Sequence, residues 1–157
     1  MSPAATVSID HRVPALSGVS DEGRVSLTDL HGKAVVVYFY PKDNTPGCTT
    51  EAQDFRDLYA EFVAKDCTIL GVSRDSAASH AKFRAKHELP FALIADTDET
   101  WCRTFDVIHE KMLYGKAHLG IVRSTFLIDR DGVLRAEWRK VKVKGHAAEV
   151  LERVATL

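Results

Sequence analysis

The stretch Tyr38-Phe39-Tyr40-Pro41-Lys42-Asp43-Asn44-Thr45-Pro46-Gly47-Cys48-Thr49-Thr50-Glu51 decides how this 157-residue chain is read. Residues 35–40 are apolar throughout, as in a strand buried on both faces. Pro41 stops that strand, and Asn44-Thr45-Pro46-Gly47 spells a tight turn. Beyond the turn, Ala52, Phe55, Leu58, Tyr59, Phe62 and Val63 recur at helical spacing, which predicts a helix over residues 49–65. Cys48 therefore falls at a helix start, just past a strand end. The first-turn N–H groups there lack intrahelical partners and the dipole is positive, so a thiolate is stabilised. Thiolate is the reactive form of cysteine.

Working outward, residues 68–72 and 91–95 are further apolar runs that read as buried strands. Residues 76–87 read as a helix, with Ser76 as cap and Pro90 beyond its end. Asp96 or Thr97 caps a short helix running to Phe105. Residues 106–119 have no clean period and are read as a loop. Residues 124–128 and 133–138 flank Asp129-Arg130-Asp131-Gly132, a hairpin turn. Residues 147–157 close the chain as a helix with Ala148, Leu151 and Val154 on one face. Upstream, residues 6–9 and 24–27 are the candidate strands of an N-terminal hairpin. Residues 17–23 between them are rich in turn formers, and residues 28–32 form a short turn. Crossover units feeding an antiparallel hairpin predict one α/β domain over residues 1–157, a three-layer sandwich around a mixed sheet.

A formal net charge of −1 gives no reason to expect nucleic acid or an acidic membrane as partner. No apolar run approaches the length of a membrane span. Residues 1–10 lack the basic segment and apolar core of a signal peptide, so a cytoplasmic protein is expected. Three irregularly spaced cysteines make no disulfide framework. The seven histidines form no ligand pattern: His80 and His87 share a helix face, but no acid or cysteine joins them at ligand spacing. No metal and no cofactor are expected. The run Arg139-Lys140-Val141-Lys142-Val143-Lys144 is read as a strand edge or solvated loop.

Thr45-Pro46-Gly47-Cys48-Thr49-Thr50-Glu51 resembles the active-site loop of the peroxiredoxins. It is most similar to the bacterioferritin comigratory protein, or peroxiredoxin Q, group. A second match lies at Gly120-Ile121-Val122-Arg123-Ser124-Thr125-Phe126-Leu127-Ile128-Asp129. The resemblance implies a thioredoxin-like fold. It also implies a thiol-dependent peroxidase that reduces hydrogen peroxide and organic hydroperoxides through a Cys48 sulfenic acid. By the same resemblance Thr45 and Arg123 join Cys48 as catalytic residues, with the backbone N–H groups of Gly47 and Cys48. Pro41 shields the site from water, and Glu51 holds Arg123. Thioredoxin, or glutathione with glutaredoxin, is the implied reductant, and a monomer is expected rather than a dimer.

Magnitudes say what such a site must supply. A thiol with pKa about 8.5 is already about 7 % thiolate near pH about 7.4, so lowering that pKa gains at most about fourteen-fold. Nucleophilicity falls along with the pKa. Fast attack must come mainly from donors that stabilise charge on the leaving oxygen as the O–O bond stretches. A guanidinium, charged and with fixed donors, suits that task.

One feature departs from the group. Many members carry a resolving cysteine five residues after the peroxidatic one, where this chain has Gln53. Others carry it in the following helix, where this chain has Arg84. Cys67 leads into a buried strand. No resolving cysteine is assigned, and Cys102, between Trp101 and Phe105, is the remaining candidate. A one-cysteine mechanism with an external thiol is expected, and a two-cysteine mechanism through Cys102 is the alternative. A thiol–disulfide oxidoreductase needs a nearby second cysteine, and there is no C-x-x-C. A cysteine phosphatase needs an arginine six positions on, where Asp54 stands. A non-enzymatic redox sensor or chaperone-like binding protein stays open.

Overall fold

Six consecutive buried residues, Ala34–Phe39 (β3), form the centre of a seven-stranded mixed sheet in a computed structural model that describes residues 7–157. Cys67–Ser73 (β4) pairs with β3 in parallel, and Ala92–Ala95 (β5) extends the parallel set. Ser124–Ile128 (β8) runs antiparallel to β3 on its other side, and Leu134–Arg139 (β9) completes that edge. Ser17–Ser20 (β1) and Gly23–Ser26 (β2) form the opposite edge, giving the order β2-β1-β5-β4-β3-β8-β9.

Because β3 is buried on both faces, its alternating residues enter two separate cores. Val36, Tyr38 and Tyr40 meet the helices Pro46–Ala64 (α1), Ala77–His87 (α2) and His146–Val154 (α4). Val35, Val37 and Phe39 meet the short helix Thr100–Thr104 (α3) and the N-terminal segment. This is the three-layer sandwich that the alternation of elements predicts, and the thioredoxin-like architecture that the resemblance implies. No helix among the described residues is long and apolar enough to cross a membrane.

Four details differ from the expectation. The N-terminal hairpin exists, but its first strand is β1, not residues 6–9. Thr6 lies outside the described residues, and residues 7–9 form no strand. The small residues of β1 that read as a turn have a packing reason: a Cβ at Gly18 would come within 2.7 Å of Ile94 and 3.0 Å of Trp101. Residues 106–119 are not a loop. Ile108–Leu113 (β6) and Lys116–Ile121 (β7) form a separate two-stranded hairpin around Tyr114 and Gly115, both at positive φ. Much of β7 is exposed, so no apolar alternation marked it. Helix α1 starts three residues early, with Pro46 at its first position, where proline's fixed φ is pre-organised. In α4 the buried face is Ala147, Val150 and Val154, with Ala148 exposed.

Phe55 anchors the first core. It is fully buried, stacks on Tyr38 at 4.8 Å between ring centroids and meets His146 edge-on. Phe55→Ala should lower unfolding free energy by about 3–5 kcal/mol. Val63→Ala, on the exposed side of the same helix, should cost well under about 1 kcal/mol. Urea unfolding of both variants checks this, and equal losses would show that the core is not where the fold places it.

Candidate active site

The loop after β3 hands the chain to α1 within a few residues. Pro41 follows the strand and is half-buried. Asn44 takes a left-handed φ of 64°, and Thr45 then caps α1 in an extended conformation. The first intrahelical bond runs from Thr49 N–H to the Thr45 carbonyl, so the N–H groups of Gly47 and Cys48 precede it. Cys48 sits in this first turn, 2 % exposed.

Arg123, between β7 and β8, reaches across to the helix start. Its Nη2 donates to Cys48 Sγ at 3.3 Å, and its Nη1 donates to Glu51 Oε1 at 2.6 Å. The guanidinium thus spans the two α1 residues one turn apart. Gly47 makes the approach possible, since a Cβ there would lie 3.2 Å from Arg123 Nη2. Burial works against the Arg123 charge, but Glu51 and Cys48 outweigh it and raise the pKa further. Glu51 is almost fully buried. Burial raises its pKa to about 7 even though Arg123 pulls the other way. Its second oxygen and the Tyr38 hydroxyl are buried with no hydrogen-bond partner among the described residues. The expected cluster of Cys48, Arg123, Glu51 and Gly47 is therefore brought together. Thr45 is at the cap as expected, but its hydroxyl donates to the Lys42 carbonyl at 2.8 Å.

Two features escaped the sequence reading. Lys111 on β6 donates to the Ile121 carbonyl at 2.6 Å, and burial, then the Arg123 charge, lowers its pKa. It lies in the hairpin that had been read as a loop. His80 was set aside for lack of an acidic neighbour in sequence. In space, ligand-type atoms of Asp43, Asp75 and His80 lie within 4.8 Å of one another. These atoms are engaged in hydrogen bonds to each other and to their neighbours.

The other cysteines stand apart from this site. Cys102 belongs to the second core, across the sheet from Cys48. Burial, then the Asp96 charge, raises its pKa strongly. Cys67 shares the Cys48 core, but it pairs with Ala34 at the far end of β3. Five residue steps of strand, roughly 16 Å, separate that end from Phe39, where the active-site loop begins. Burial pushes the Cys67 thiol up to about 12. Arg84 on α2 binds the Leu89 carbonyl and pairs with Asp21 and Glu22 in the β1–β2 turn, at 3.2 and 2.7 Å.

Comparison with known proteins places this geometry. The AhpC/TSA family model matches residues 9–137. Peroxiredoxin Bcp of Bacillus subtilis is 52% identical over 148 residues, covering 94% of each chain. A structure of the bacterioferritin comigratory protein of Xanthomonas campestris, concerned with its alkyl peroxide reduction activity, has a TM-score of 0.86 and 50% identity over 90% of each chain. A cysteine-to-serine variant of peroxiredoxin Q from the same organism has a TM-score of 0.88 and 47% identity over 99% of each chain. Built on a cysteine at a helix start and matched along nearly its whole length by such relatives, the chain belongs to the AhpC/TSA family, among the peroxiredoxins, which are thiol-dependent peroxidases.

Proposed function

We propose that Cys48 is the peroxidatic cysteine and that it works without a resolving cysteine. The observation that carries this is the Arg123 fork, with one arm on Cys48 Sγ and the other on the buried Glu51. The thiolate attacks one peroxide oxygen. An S–O bond forms, the O–O bond breaks, and the leaving oxygen takes a proton to become water or an alcohol. Cys48 is left as a sulfenic acid. Arg123 and the Gly47 and Cys48 N–H groups are donors for the charge that develops on the peroxide oxygens. The Thr45 hydroxyl turns from Lys42 to the incoming peroxide, and Pro41 screens the site from water. Substrates are hydrogen peroxide and, by similarity to the Xanthomonas protein, organic hydroperoxides.

The sulfenic acid then condenses with an external thiol to a mixed disulfide and water, and a second thiol restores Cys48. Two observations support this route over an internal one: Cys102 lies in the other core, and Cys67 lies at the other end of the strand. Thioredoxin, or glutathione with glutaredoxin, supplies the thiol to a monomer in the reducing cytoplasm.

Cys48→Ser should abolish peroxidase turnover, and activity within about tenfold of wild type would sink the assignment. The Cys67→Ser, Cys102→Ser double variant should keep full turnover. After one equivalent of peroxide, non-reducing peptide mapping should find sulfenic acid on Cys48; a Cys48–Cys102 peptide in high yield would overturn the one-cysteine route.

Arg123→Lys keeps a charge but loses the planar fork. Its stopped-flow rate with peroxide should drop about 10²- to 10³-fold in a folded protein. A rate equal to wild type would remove Arg123 from the site.

Glu51 gives a pH signature. Its folded pKa of about 7 is raised above the ordinary 4.5, so the folded state holds the proton over that interval and the unfolded state does not. Stability contributed by protonation is full below pH 4.5 and is lost as pH rises through 7. Relative to Glu51→Gln, the wild type should therefore lose on the order of 3 kcal/mol between pH 4.5 and 7.5. Denaturant unfolding at several pH values measures it, and a constant difference between the two proteins would contradict the burial of an ionisable Glu51.

A further inference from the structure

A buried hydrogen-bond network ties the loop before α1 to α2 and β5 through His80. His80 is fully buried on α2, behind the active-site loop. Its Nε2 lies 3.0 Å from the Ile94 carbonyl, which can only accept. Its Nδ1 lies 2.7 Å from Asp43 Oδ2. The other neighbours cannot supply a proton to either nitrogen. The Ser73 hydroxyl is 3.4 Å from Nε2, but its single hydrogen goes to Asp75 Oδ2 at 2.7 Å. The Tyr40 hydroxyl is 3.4 Å from Nδ1, but it donates to Asp43 Oδ1 at 2.6 Å. A neutral ring beside an ionised Asp43 would set a nitrogen lone pair against an oxygen lone pair in a buried site. A proton therefore lies between His80 Nδ1 and Asp43 Oδ2, and Nε2 donates its own to the Ile94 carbonyl.

We propose that His80 is a positioning residue for the peroxidase reaction, acting through Asp43 to hold the loop that presents Thr45, Gly47 and Cys48. Asp43 is the loop residue that receives these bonds. Its carboxylate accepts from His80, Tyr40 and Ser79, and its own N–H donates to Asp75 Oδ2 at 2.9 Å. Burial pushes the Asp43 carboxyl up, but the hydrogen bonds from His80 and Tyr40 outweigh it and hold the pKa below the ordinary value. The loop is thus fixed at Asp43 by charge-assisted bonds and at Thr45 by the start of α1, with only Asn44 between. The charged groups nearest the ring are Asp43 itself and Asp75, one hydrogen bond further on. The inference rests on Cys48 as the reacting sulfur for its kinetic part, while the His80–Asp43 hydrogen bond can be measured without reference to any reaction.

The test uses the full chain. In the first arm, ring N–H protons are observed by ¹H–¹⁵N NMR, with His80 assigned from its absence in His80→Gln. A slowly exchanging downfield proton should bridge His80 Nδ1 and Asp43, and it should be lost in Asp43→Asn. A folded wild type without that proton overturns the proposal whatever the kinetics show. In the second arm, His80→Gln and Asp43→Asn are compared with wild type by stopped-flow peroxide reduction. Displacing the reacting groups by about 1 Å can cost about 10²-fold, and a loss of that order is expected in folded protein. Should either variant fail to fold, Ser79→Ala removes one donor to Asp43 and should give a smaller loss of about threefold or more. A merely structural role would lower the unfolding midpoint and leave the rate of the folded protein unchanged, which overturns the positioning role. Failure of the Cys48 reading is distinguishable, because Cys48→Ser would then retain turnover.

Discussion

The guanidinium of Arg123 holds the active site together, because it ties a strand end to a helix start through two different atoms. One arm ends on the Cys48 sulfur and the other on a carboxyl that is itself almost wholly buried. Removing one partner of such a pair leaves an uncompensated charge in a low-dielectric setting, which costs about 3–5 kcal/mol. Much of the surrounding geometry serves this span. Gly47 leaves room for the fork, Pro46 starts the helix early enough to bring Cys48 and Glu51 onto one face, and the β6–β7 hairpin ends where Arg123 begins. The near-neutral pKa of Glu51 adds a second property. The counter-charge that orients Arg123 is present only in part near neutral pH.

The double-faced central sheet separates the chain's thiol chemistry. Alternate residues of β3 feed two cores, and the three cysteines divide between them. Cys48, in the first turn of α1, has the Arg123 guanidinium on its sulfur. Cys67 and Cys102 are held as neutral thiols by burial. That separation of the three sulfurs supports the proposed one-cysteine route.

Most of this was legible in the sequence where a strong local signal coincided with a tertiary role. The apolar run ending at Tyr40, the turn through Thr45, Pro46 and Gly47, and the helical period after it place Cys48 without further help. Arg123 and Glu51 were legible through resemblance. No local rule pairs residues that lie 72 positions apart. What was missed has physical reasons. β1 is poor in strand formers because Gly18 sits against Ile94 and Trp101, so a packing constraint looks like a turn. The β6–β7 hairpin stands off the main sheet and carries no buried face to mark it. His80 and Asp43 are joined only when the ends of β3, β4 and β5 converge, and spacing along the chain says nothing of that.

Arg84 ties together two elements that are distant in sequence. Here a long cation stitches α2 to the β1–β2 turn and also satisfies the Leu89 carbonyl beyond the helix end. Exchanging it for cysteine would strip Asp21, which is mostly covered, of its counter-charge, and would free a helix end at the same stroke. A thiol placed here would therefore loosen the turn that closes this sheet edge, and a stable protein carrying it needs that turn rebuilt as well.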